Sequence, residues 1–69
     1  MKLSQKEISY LKDQLEHEKI CIKKYNNYAA QLQDTELSQM FYNLAQKEEQ
    51  HAQTITKFLE QAGVQTQQF

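Results

Sequence analysis

Ile8, Leu11, Leu15, Glu18, Ile22, Tyr25, Ala29 and Leu32 follow one another at intervals of three and four residues, without a slip. Leu37, Phe41, Leu44, Glu48, His51, Ile55, Phe58 and Ala62 repeat the pattern. This alternation is the signature of a helix that turns one apolar stripe toward a bundle, and a period-two strand cannot satisfy it. Three members are wrong for such a stripe: Glu18 in the first series, Glu48 and His51 in the second. A carboxylate or imidazole buried without a partner is costly, so each of the three requires one.

The flanking residues set the ends of the two helices. Ser4 with Glu7 forms a capping box, and Leu3 with Ile8 a hydrophobic staple, which predicts a first helix over about residues 4–33. Asp34 is a good N-cap and Glu36 suits the positive end of the next helix dipole. Gly63 is a natural residue just past a helix end, so the second helix is expected over about 35–62. Residues 63–69 carry no period and read as a flexible tail of this single domain. Each helix is roughly 28 residues, about 42 Å at the usual rise. A short turn near Gln33-Asp34-Thr35 makes the two antiparallel, so positions whose numbers add to about 69 lie level. Leu32 then faces Leu37, Tyr25 faces Leu44 and Leu11 faces Phe58. Glu18 faces His51 with Glu48 one turn away, so the three misfits converge on one layer.

The fold class expected is all-α, an antiparallel helical hairpin. The chain has 69 residues, and a chain so short buries only about 60% of its unfolded surface. Association is a usual remedy. Two hairpins packed face to face would form a homodimeric four-helix bundle, with higher homo-oligomers also open. Its central layer would hold two copies each of Glu18, Glu48 and His51. One Glu from each of two helices, with a Glu-x-x-His pair from each of the other two, is the ligand set of di-iron and di-manganese carboxylate bundles. Four carboxylates repel one another strongly, and two divalent cations neutralise them. Iron, or alternatively manganese, suits one imidazole per metal among carboxylates; structural zinc favours more Cys and His, and magnesium keeps its waters.

Other partners are disfavoured. The net charge is −1, with no basic block for a nucleic acid. No apolar run approaches the ~20 residues of a membrane span. The opening Met1–Glu7 stretch lacks the apolar core of a signal peptide, so an intracellular protein, not secreted by a signal peptide, is expected. The single cysteine, Cys21, rules out an internal disulfide and reads as a small buried hydrophobe, with a metal ligand or an interchain bridge as alternatives. Glu16, His17 and Glu49 fall off the stripes and read as solvated, with an outer role around the layer as the alternative for His17. Tyr10 and Tyr42 point away from them.

Glu18, Tyr25 seven residues on, and Glu48-x-x-His51 on the next helix together resemble the metal-ligand half of the ferritin-like superfamily. Rubrerythrins and bacterioferritins carry that half twice in one chain; a chain with one copy must take the second from another subunit. At finer scale, Glu18-Lys19-Ile20-Cys21-Ile22-Lys23-Lys24-Tyr25, the Gln33-Asp34 turn and Leu44-Ala45-Gln46-Lys47-Glu48-Glu49-Gln50-His51 resemble small spore coat proteins of the coat F type. The resemblance implies that Glu18 is a terminal or capping metal ligand, Glu48 a bridge between two metals and His51 a nitrogen ligand. It also implies that Tyr25 donates to a ligand carboxylate. The chain lacks rubredoxin-like cysteine pairs and the extra helices with which ferritins build cages, so neither that electron delivery nor shell storage is implied.

Three functions stay open on this reading. The first is a di-iron centre with ferroxidase-type or oxygen- and peroxide-directed chemistry. The second is a non-catalytic building block of the spore coat, with other coat proteins as partners. The third is a metal-free helical adaptor that docks the helices of another protein. The corresponding location is the cytoplasm or the spore coat.

Overall fold

The computed structural model describes residues 2–65, and the last four residues of the expected tail lie outside it. Two helices, α1 (Gln5–Gln31) and α2 (Thr35–Gln61), are joined by three residues into a hairpin. The described chain measures 46 × 16 × 14 Å. Neither helix is long and apolar enough to cross a membrane.

Local chemistry explains each helix end. Ser4 accepts from the Glu7 N–H at 3.0 Å, and the Glu7 carboxylate accepts from the Ser4 N–H at 2.9 Å. The backbone and then the hydroxyl of Ser4 hold the Glu7 carboxyl below its ordinary value. At the turn, Asp34 Oδ1 accepts from the Leu37 N–H at 2.9 Å. Leu32 and Asp34 are both extended, at ψ 134 and 122, so the chain leaves one helix and enters the next without a left-handed residue. That is why no glycine is needed. α1 stops at Gln31, short of the expected residue 33, because Leu32 already takes that extended conformation. The Ser38 hydroxyl donates to the Ala29 carbonyl at 2.7 Å, tying the first turn of α2 to the last turn of α1.

The far end of α2 is a Schellman cap. Gly63, at φ +82, donates to the Glu60 carbonyl at 3.0 Å, and Val64 donates to the Leu59 carbonyl at 2.9 Å. Val64 then packs on the core with Ile8, Leu11, Ile22 and Ile55, around Leu15, Ala52 and Leu59. Gly63 and Val64 therefore end the helix in an ordered way, where the sequence suggested that a flexible tail begins. The apolar contact at Val64 is the usual companion of this cap.

The two helices meet along small side chains. On α2 the buried residues are Ala45, Ala52 and Leu59, seven apart. On α1 they are Leu15, Glu18, Cys21 and Ala29. The α2 stripe expected from the sequence is thus offset: at 3.6 residues per turn it lies roughly 70° around the helix from the line of contact. Leu37 and Phe58, both on that stripe, are 46% and 42% exposed, whereas Ala52 and Leu59 are fully covered. Small residues let two backbones approach closely, and larger neighbours then flank the contact. Phe41 sits on the flank, with its ring centroid 5.3 Å from Tyr28 (edge-on) and 6.0 Å from Tyr25. Such pairs contribute about 0.5–1.5 kcal/mol beyond their burial.

Leu59 is the one large side chain, among the described residues, that is completely enclosed. Close contact at Ala52 is therefore a main support of the hairpin. Ala52→Leu is expected to force the helices apart and cost about 1–3 kcal/mol, seen as a drop in thermal midpoint of several degrees; an unchanged or higher midpoint would show that the contact has room to spare.

Candidate metal centre

Glu18 lies near the middle of α1, Glu48 and His51 near the middle of α2. The hairpin register brings them level. One ligand atom from each lies within 4.8 Å of the others. His51 Nδ1 is 3.2 Å from Glu48 Oε1 and 3.9 Å from Glu18 Oε2. The helix supplies the first contact, because residues three apart share a face. Only the packing of α1 on α2 supplies the second.

The three differ in depth. The Glu18 side chain is 6% exposed, that of Glu48 20% and that of His51 64%. The layer thus grades from the hairpin interior at Glu18 to its surface at His51. Glu18 Oε1 accepts a hydrogen bond from the side-chain amide of Gln14. Glu18 Oε2 is buried and has no hydrogen-bond partner. A carboxylate oxygen enclosed without a donor is unfavourable by about 1–3 kcal/mol or more, and a proton or a metal ion is the kind of group that suits it. The Glu48 carboxyl is pushed above its ordinary value, first by the contact with Glu18, then by burial and by the charge of Glu18; His51 opposes the shift.

Tyr25 makes its described contacts beside this layer. Its ring packs on Phe41, the Lys24 ammonium lies 5.5 Å from the ring centre, and no hydrogen bond joins its hydroxyl to either carboxylate among the described residues. Cys21 is buried with its sulfur 3.5 Å from His17 Nε2. His17 and Glu16 are exposed, and Glu16 pairs with Lys19 at 3.4 Å. Gln14 escaped the sequence reading. A glutamine one turn before a buried carboxylate is a usable signal, but only after Glu18 is known to be buried.

Comparison with protein families matches residues 9–69 to Rubrerythrin. The chain belongs to the rubrerythrin family. The match covers both helices apart from the first turn of α1, and so includes Glu18, Glu48 and His51. No curated protein and no solved structure matches the chain. Membership places the chain in the ferritin-like superfamily and supports a metal-binding function for the group of Glu18, Glu48 and His51. It does not extend to the coat-protein likeness.

The carboxyl contact has a measurable consequence in the metal-free rubrerythrin-family hairpin. A carboxyl whose pKa is raised by folding binds its proton more tightly in the folded state, so folding stability falls as pH rises through its titration. Glu48→Gln does not titrate. It is expected to melt higher than the parent at neutral pH, with the gain shrinking on acidification toward the ordinary carboxyl range. Identical melting curves across that range, followed by circular dichroism in the presence of chelator, would mean that Glu18 and Glu48 do not interact.

Proposed function

We propose that this chain is one half of a ferritin-like four-helix bundle, and that two copies enclose a carboxylate-bridged dinuclear metal centre, with iron as the resident metal and manganese as the alternative. The observation that carries the reading is Glu18: a buried carboxylate with one oxygen unpartnered, within reach of a second carboxylate and an imidazole. The open side of the hairpin supports the association. Tyr28, Leu37 and Phe58 are 46%, 46% and 42% exposed, and a hairpin with so few enclosed side chains is marginal alone.

In the closed bundle Glu18 would be a terminal ligand and Glu48 the bridge. His51 would bind through Nδ1, the ring nitrogen that faces both carboxylates. Two copies bring four carboxylates, whose charge two divalent cations offset. Tyr25 would donate to a ligand carboxylate once the second hairpin is in place. Bound iron would supply ferroxidase-type or peroxide-directed redox chemistry at an open coordination position. The protein's part is to hold the donors and to exclude water with the apolar residues on either side.

A second reading has its own support in the raised Glu48 carboxyl. A proton shared between Glu18 and Glu48 would satisfy the layer without metal, and the bundle would then be a structural block, such as a spore coat component. Metal analysis of protein purified without a nickel column and reconstituted with ferrous ion separates the two. About one metal per chain is expected from the two-metal ligand set, together with its loss in Glu48→Ala or His51→Ala. No bound metal after reconstitution would overturn the dinuclear reading.

Association is checked by size-exclusion chromatography with light scattering. A dimer at micromolar concentration is expected, and a monomer would remove the shared centre. Replacing Glu18, Glu48 and His51 together by Leu is expected to raise the melting temperature of the metal-free protein while abolishing metal uptake, because packed apolar groups are less costly there than buried polar ones. Unfolding of that variant would show that the polar layer is needed for structure.

A further inference from the structure

We propose that Gln14 is a positioning residue for this centre: its side-chain amide holds Glu18 Oε1 and leaves Oε2 as the single oxygen offered to a metal ion. The inference rests on the metal-binding reading above. Gln14 precedes Glu18 by four residues on α1, so the two side chains stack on one face of the helix. The Gln14 amide donates to Oε1, while Oε2 is enclosed, has no hydrogen-bond partner and lies 3.9 Å from His51 Nδ1. One oxygen of the carboxylate is therefore engaged and the other is aimed into the layer. Glu48 has no such amide tether among the described residues; its carboxylate contacts are His51 and Glu18.

The chemistry of the tether matters. A lysine or arginine at this position would neutralise Glu18 and compete with a cation. A neutral amide orients the carboxylate and leaves its charge for the metal. The asymmetry also divides the roles: Glu18, held at one oxygen, would offer a metal ion the other, whereas Glu48 carries no such tether among the described residues. Gln14 is itself exposed, so its removal leaves the helix contact intact.

The test uses the 69-residue chain with cobalt(II) as the probe, titrated against a competing chelator, in the wild type, Gln14→Met and Gln14→Asn. Methionine keeps the length and loses the donor; asparagine keeps the amide and polarity but is too short to reach. Both variants are expected to bind cobalt about 10- to 100-fold more weakly, the usual effect of losing a group that orients a ligand, with helix content unchanged by circular dichroism. The infrared splitting between the antisymmetric and symmetric carboxylate stretches, isolated by difference against Glu18→Gln, is expected to narrow as the second oxygen of Glu18 joins the metal. A purely structural role would not move that signature. Wild-type affinity and an unchanged carboxylate spectrum in either folded variant overturn the role of Gln14 and leave the metal centre standing. A wild type that binds neither cobalt nor ferrous ion overturns both.

Discussion

One enclosed carboxylate governs this molecule. Glu18 stands on the line where α1 meets α2, with 4% of its surface exposed. Leaving such a group unpaired costs several kcal/mol. A domain of this size has only about 3–5 kcal/mol to draw on from a single core. The two are of similar size, so the partners that Glu18 finds weigh heavily in the stability of the hairpin. The Gln14 amide satisfies one oxygen. Glu48, with its carboxyl raised by Glu18 and by burial, and the His51 ring at 3.9 Å are the other groups that meet it in the layer. A family whose chemistry is metal binding fits that local need.

The thin contact between the helices follows from the small residues that line it. Ala29, Ala45, Ala52 and Cys21 line the seam, with Leu15 and Leu59 as the large apolar side chains buried beside them. Close approach leaves little volume to bury, so the large side chains fall to the flanks. There Phe41 collects Tyr25 and Tyr28, and Leu37 and Phe58 stay open. The same geometry that makes the hairpin compact makes it incomplete. Its ends are better determined than its middle: a capping box, an Asp cap and a Schellman cap fix where each helix starts and stops.

Much of this was legible from residue spacing. The two series in threes and fours specify two helices, because no other regular structure repeats that way. The three polar residues in those series specify one layer, since a short turn leaves the antiparallel register little freedom. What spacing did not single out is the line of contact itself. The α2 series runs through Phe41, Leu44, Ile55 and Phe58, whereas the contact with α1 runs beside it, through Ala45, Ala52 and Leu59. Hydrophobicity by type does not distinguish Leu59, completely enclosed at that contact, from Leu37, which stays 46% exposed.

The sequence by itself therefore determined the helices, their caps and which residues would share the central layer, because these depend on local hydrogen bonding and on periodicity along one chain. The tertiary structure alone decided how that layer is graded. It placed Glu18 inside and His51 at the surface, turned one oxygen of Glu18 to Gln14 and left the other bare, and set Tyr25 against Phe41. Those outcomes depend on how far one helix is rotated against the other. That rotation is settled by steric fit between side chains distant in sequence, which no local pattern records.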